Sequence, residues 1–93
     1  MSNRVLVVDD SVSMRQMTGL ILKGAGFEPV EAGDGQEALE KLTDDTVLVI
    51  TDFNMPRMNG VELIKAIRGG SVAKTVPILM ITTESEDNKK QQG

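Results

Sequence analysis

The sequence predicts an α/β domain: an open, doubly wound parallel sheet with helices on both faces and the strand order 2-1-3-4. Three observations carry this. Short apolar runs and amphipathic stretches alternate four times along the chain, and a helix between successive strands demands a parallel crossover. Two of the apolar runs end abruptly in acids, at Asp9-Asp10 and at Asp52. The second run contains Pro29, which cannot donate to a ladder and so puts that strand at an edge.

Arg4 to Val8 (RVLVV) is apolar and β-branched, the composition of a fully buried strand. From Val12 to Ala25, Met14, Met17, Ile21 and Ala25 repeat at helical spacing, and Gly26 can supply the left-handed stop. Phe27 to Glu31 is the weaker edge strand. Asp34-x-x-Glu37 resembles a capping box and opens a helix whose Ala38, Leu39 and Leu42 face inward; Asp44-Asp45 closes that unit. Val47 to Thr51 (VLVIT) is the second strongly buried strand, and Phe53 to Gly60 is a loop rich in turn residues. Val61, Ile64 and Ile67 predict the buried stripe of a third helix, stopped by Gly69-Gly70. Val76 to Thr82 (VPILMIT) is the fourth strand, with Pro77 tolerable near its start. Thr83 to Gly93 is polar and has no completed apolar stripe.

Composition narrows the chemistry. Ninety-three residues allow one domain, 1–93, with 40% hydrophobic and 26% charged residues, as in ordinary globular chains. Phe27 and Phe53 are the two aromatics, so the core must be aliphatic, and Met14, Met17, Met55, Met58 and Met80 read as packing and loop filling. A net charge of −4 argues against nucleic acid or an anionic membrane as the main partner. Without cysteine there are no disulfides or thiolate metal sites, and without histidine the commonest general base and metal ligand is missing. No signal peptide or bilayer-length apolar run is present, which makes a cytoplasmic location the default.

In a sheet of order 2-1-3-4 the direction of winding reverses between the first and third strands. Ligands bind outside the carboxyl ends at that point. Asp9 and Asp10 end strand one, Asp52 ends strand three and Thr82 ends strand four. Alone, Asp9-Asp10 reads as a pair of helix-capping residues and Asp52 as a turn acid; their joint placement at the switch point reverses this. Converging carboxylates repel unless a cation compensates, and magnesium commonly binds through one or two carboxylates plus a phosphate. A carboxylate can itself be the nucleophile in an aspartyl-phosphate mechanism, and the Thr82 hydroxyl could donate to a phosphate oxygen.

These residues resemble a known family. VLVVDDS at Val5–Ser11, TDFNMPRMNG at Thr51–Gly60 and PILMITTE at Pro77–Glu84 look like the signatures of response-regulator receiver domains, close in order and spacing to the single-domain, CheY-type chemotaxis regulators. The resemblance covers essentially the whole chain and implies a flavodoxin-like fold. It implies Asp52 as phosphoacceptor and a Mg²⁺ site of Asp9, Asp10, Asp52 and the Asn54 backbone carbonyl, with one of the paired acids acting through water. Thr82 would be the switch hydroxyl and Thr83 would lend a backbone amide, while Asn54 and Glu84 would tune loss of the phosphoryl group. Met55-Pro56 and Gly60 would shape the loop beneath the site. The implied donor is a phosphohistidine on a histidine kinase, so the protein is not an enzyme in the usual sense. Family members continue through another helix, a strand ending in a lysine, and a final helix. This sequence stops at Gly93, which predicts a shortened receiver lacking its last β-α unit and leaves the fourth strand as an apolar edge that invites self-association or domain swapping.

Rival readings rest on less. Gly33-Asp34-Gly35-Gln36-Glu37-Ala38 matches the dinucleotide pattern G-x-G-x-x-A, but Asp34 and Glu37 put negative charge where a pyrophosphate must sit. A haloacid-dehalogenase-like phosphatase would want a second acid where Asn54 stands. Lys89-Lys90 reads as a solvated helix face. The runner-up to a signalling receiver is a receiver fragment used as a structural or engineered building block.

Overall fold

Strand pairing follows the predicted order. The computed structural model describes residues 3–53, 55 and 58–81. Among them the chain runs β1 (Arg4–Val8), α1 (Val12–Gly24), β2 (Glu28–Ala32), α2 (Gly35–Lys41), β3 (Thr46–Asp52), α3 (Gly60–Gly69) and β4 (Ile78–Ile81). The four strands form one sheet, β2-β1-β3-β4, parallel throughout. Pro29 pairs with Val5 on the edge strand, where a missing donor can face away from the ladder.

Side-chain alternation along β1 and β3 divides the interior in two. Leu6, Val8 and Val49 point to the face covered by α2 and α3, where they meet Ala38, Leu42, Leu63, Ile67 and Val76. Val5, Val7 and Ile50 point to the α1 face, with Leu22 and Leu48 packed against them. Because β1 is filled on both faces, it reads as the continuous apolar run that marks a central parallel strand.

Local signals set the helix ends. The Ser11 hydroxyl accepts from the Met14 amide and starts α1. Asp34 accepts from the Glu37 amide and starts α2; Glu37 reaches back to the Gly33 amide, one residue before the cap, so the predicted box is offset by one. A complete capping box opens α3, with Asn59 accepting from the Glu62 amide and Glu62 accepting from the Asn59 amide.

Two helical stripes differ in phase from those expected. In α3 the buried residues are Gly60, Leu63 and Ile67, while Val61 is exposed and Ile64 half-buried. The close approach of Gly60 to the β3 backbone fixes that phase: a Cβ there would stand 2.8 Å from the Asp52 carbonyl oxygen. In α1, Met14, Met17 and Ile21 are exposed. The sheet-facing stripe is instead Arg15, Thr18, Gly19 and Leu22, with Gly19 against Pro29. Met55 does enter the core and Met58 packs against it, so packing describes those two methionines but not Met14 and Met17. β2 begins at Glu28 and runs to Ala32, one residue later at each end than expected, with Phe27 exposed. β4 begins at Ile78, after Val76 and Pro77, and alternates half-buried with exposed residues rather than being buried throughout.

Candidate functional site

Register brings the acids to one level. Val8 pairs with Thr51 across the β1–β3 ladder, so Asp9 and Asp52 emerge side by side at the carboxyl end of the sheet. One carboxylate oxygen from each of Asp9, Asp10 and Asp52 lies within 4.8 Å of the others. Asp52 is buried, Asp9 half-buried and Asp10 exposed, an arrangement that opens toward solvent on the Asp10 side.

The surrounding backbone fixes these groups. The Asp9 amide donates to the Ala32 carbonyl at 3.0 Å, its Oδ1 accepts from the Ser11 amide at 2.9 Å, and its carbonyl accepts from Arg15 Nη1 at 2.7 Å. Asp52 ends β3 opposite Ile81 of β4. The next amide, Phe53, donates to the Ile81 carbonyl, and the Gly60 amide donates to the Phe53 carbonyl. The turn after Asp52 is therefore tied to both β4 and the start of α3.

Electrostatics at the site are unbalanced. Burial pushes the Asp9 carboxyl above its ordinary value, and the charges of Asp52 and Asp10 push it further; the Ser11 amide and the Arg15 guanidinium act in the opposite direction. Three hard oxygen donors with excess negative charge suit a small divalent cation. Opposite oxygens in a magnesium shell lie about 4.2 Å apart, close to the observed spread, so the donor set fits with one acid held through water or after a small side-chain adjustment.

The three predicted carboxylates are thus brought together. Asn54, Pro56, Thr82, Thr83, Glu84 and Lys89-Lys90 lie outside the described residues. Met55 is buried, and Gly60 begins α3. Sequence reasoning missed Arg15, whose contacts with Asp9 and with Glu31 of β2 join segments that no local pattern connects. The dinucleotide reading meets an obstacle at α2. The Asp34 and Glu37 side chains already accept the Glu37 and Gly33 amides, and Gly35 is needed because a Cβ there would come within 2.6 Å of Met58.

Comparison with known proteins agrees with this architecture. Residues 5–93 match the response regulator receiver domain family. Chemotaxis protein CheY1 of Helicobacter pylori is 51% identical over 84 residues, spanning 87% of this chain and 68% of that protein. The structure of the chemotaxis response regulator CheY4 of Vibrio cholerae superposes with a TM-score of 0.80 at 47% identity, over all of this chain and 78% of that one. A response regulator receiver protein from Pseudomonas putida superposes with a TM-score of 0.81 at 30% identity, over 98% of this chain and 76% of that one.

Proposed function

Because the chain belongs to the response regulator receiver domain family, in its CheY-type chemotaxis branch, we propose that it accepts a phosphoryl group on Asp52 from the phosphohistidine of a sensor histidine kinase, with Mg²⁺ as the metal. The observation that carries this reading is the convergence of Asp9, Asp10 and Asp52 at the carboxyl end of the sheet. All 93 residues act in it as one cytoplasmic receiver domain.

The Asp52 carboxylate oxygen attacks phosphorus, the phosphorus–nitrogen bond of the donor breaks, and its electron pair stays on the imidazole nitrogen. Asp9 and Asp10, with Asp52 and the Asn54 carbonyl, hold the cation; when bound it neutralises charge on the phosphoryl oxygens. Burial of Asp52 limits water beside the nucleophile, which favours a stable acyl phosphate over continuous hydrolysis. Thr82 and Thr83 are assigned the phosphoryl contacts by family resemblance, with movement at Thr82 relaying the modified state. A secondary partner is a second copy of the chain through β4, supported by its place at the end of the described sheet and by exposed Leu79 and Ile81.

The test is the intact mass of the chain after exposure to acetyl phosphate, with and without Mg²⁺, beside Asp52→Asn. The expected result is gain of one phosphoryl group that requires Mg²⁺ and is lost in the variant. Labelling that persists in Asp52→Asn would move the acceptor elsewhere, and absence of uptake in the parent chain overturns the phosphoacceptor reading.

A further inference from the structure

We propose that Arg15 is a positioning residue for the acidic site, orienting both Asp9 and Asp10 through the peptide that joins them. The inference rests on the reading of that site as a Mg²⁺ centre.

Arg15 lies in the first turn of α1, and only 16% of its side chain is exposed. Its guanidinium makes two directional contacts on different elements. Nε donates to Glu31 Oε1 on β2 at 3.2 Å, and Nη1 donates to the Asp9 carbonyl at 2.7 Å. Gly33 leaves room for this pose, since a Cβ there would sit 3.3 Å from Nη1. A planar fork can be held at two points in a way that a lysine ammonium cannot.

The bond to Asp9 matters because of which carbonyl accepts it. The Asp9 amide is already fixed to Ala32. With its carbonyl fixed as well, the peptide planes on both sides of Asp9 are held, the Val8–Asp9 plane by Ala32 and the Asp9–Asp10 plane by Arg15, and the second of these sets where the Asp10 side chain departs. One arginine thereby orients two of the three carboxylates, while Glu31 holds the arginine. Outer partners of metal ligands act in this way, and their loss typically costs about 10- to 100-fold in metal affinity.

Charge and position predict opposite signs. A nearby cation repels Mg²⁺, so if Arg15 acted by charge alone its removal would tighten binding. If it positions the ligands, removal weakens binding, and a lysine that keeps the charge fails to restore it.

The experiment is calorimetric titration of Mg²⁺ into the full chain and into Arg15→Ala, Arg15→Lys and Glu31→Gln, with each fold checked by circular dichroism and urea unfolding. The chain has no tryptophan or tyrosine, which makes heat a better readout than fluorescence. The expected result is an affinity loss of about tenfold in both arginine variants and a smaller loss in Glu31→Gln. Arg15→Lys preserves a partner for Glu31, so it remains informative if the alanine variant does not fold. Unchanged or tighter binding in a folded arginine variant overturns the positioning role while the Mg²⁺ reading stands. A parent chain that binds no Mg²⁺ overturns the site reading itself.

Discussion

The two faces of the sheet are unequal. Among the described residues, the face under α2 and α3 gathers ten buried hydrophobic residues into one cluster, against three on the α1 face. On the α1 side, Leu20 is 71% and Ile21 68% exposed, and Leu79 on β4 is exposed as well. Burial of apolar area is the main stabilising term in folding, so the α2–α3 face supplies most of the cohesion. The acidic site lies at the carboxyl edge that both faces share. A functional edge can carry repelling carboxylates because the cohesion is concentrated elsewhere.

The largest effect should come from the well-packed face. Leu63→Ala removes a fully buried side chain from the larger cluster and is expected to cost about 3 kcal/mol in urea unfolding; a loss below about 1 kcal/mol would break the comparison. Gly60→Ala should follow, at about 1–3 kcal/mol. Its new Cβ would press on the Asp52 carbonyl, so Mg²⁺ affinity measured by calorimetry should fall with stability.

Asp9 sharpens the contrast between edge and core. Its carboxyl is raised above the ordinary value of 3.8, chiefly by burial. The stability linked to its protonated form is therefore fully present below the ordinary value and lost as pH rises through the raised one. At neutral pH the ionised group opposes folding of the metal-free chain. Asp9→Asn should raise the urea midpoint there, with the gain fading under acid, and should weaken Mg²⁺ binding. The smallest effect belongs to the α1 surface: Leu20→Lys should change stability by no more than about 0.5 kcal/mol, and a larger loss would mean that this face contributes more than its exposure suggests.

Much of this molecule is legible locally. β1 announces itself by a β-branched run that ends in two acids, and Pro29 identifies the edge strand, since a missing amide donor constrains position whatever surrounds it. From those elements the strand order follows, and with it the meeting of Asp9, Asp10 and Asp52. The phase of α1 and α3 was not legible. In α3 two overlapping apolar stripes satisfy the same periodicity, and the choice falls to a close contact made across the fold, Gly60 on the Asp52 carbonyl. In α1 the apolar repeat is exposed and the sheet takes Arg15, Thr18, Gly19 and Leu22, a set that apolar periodicity does not mark.

What the sequence by itself determined is the alternation of elements, the parallel order and the carboxylates at the switch point, because composition and turn chemistry act over a few residues. Only the tertiary structure decided which helical faces turn inward, how unequal the two sides of the sheet are, and that Arg15 bridges Asp9 to Glu31. These are contacts between segments far apart in the chain, and their energies depend on distances that no local pattern encodes.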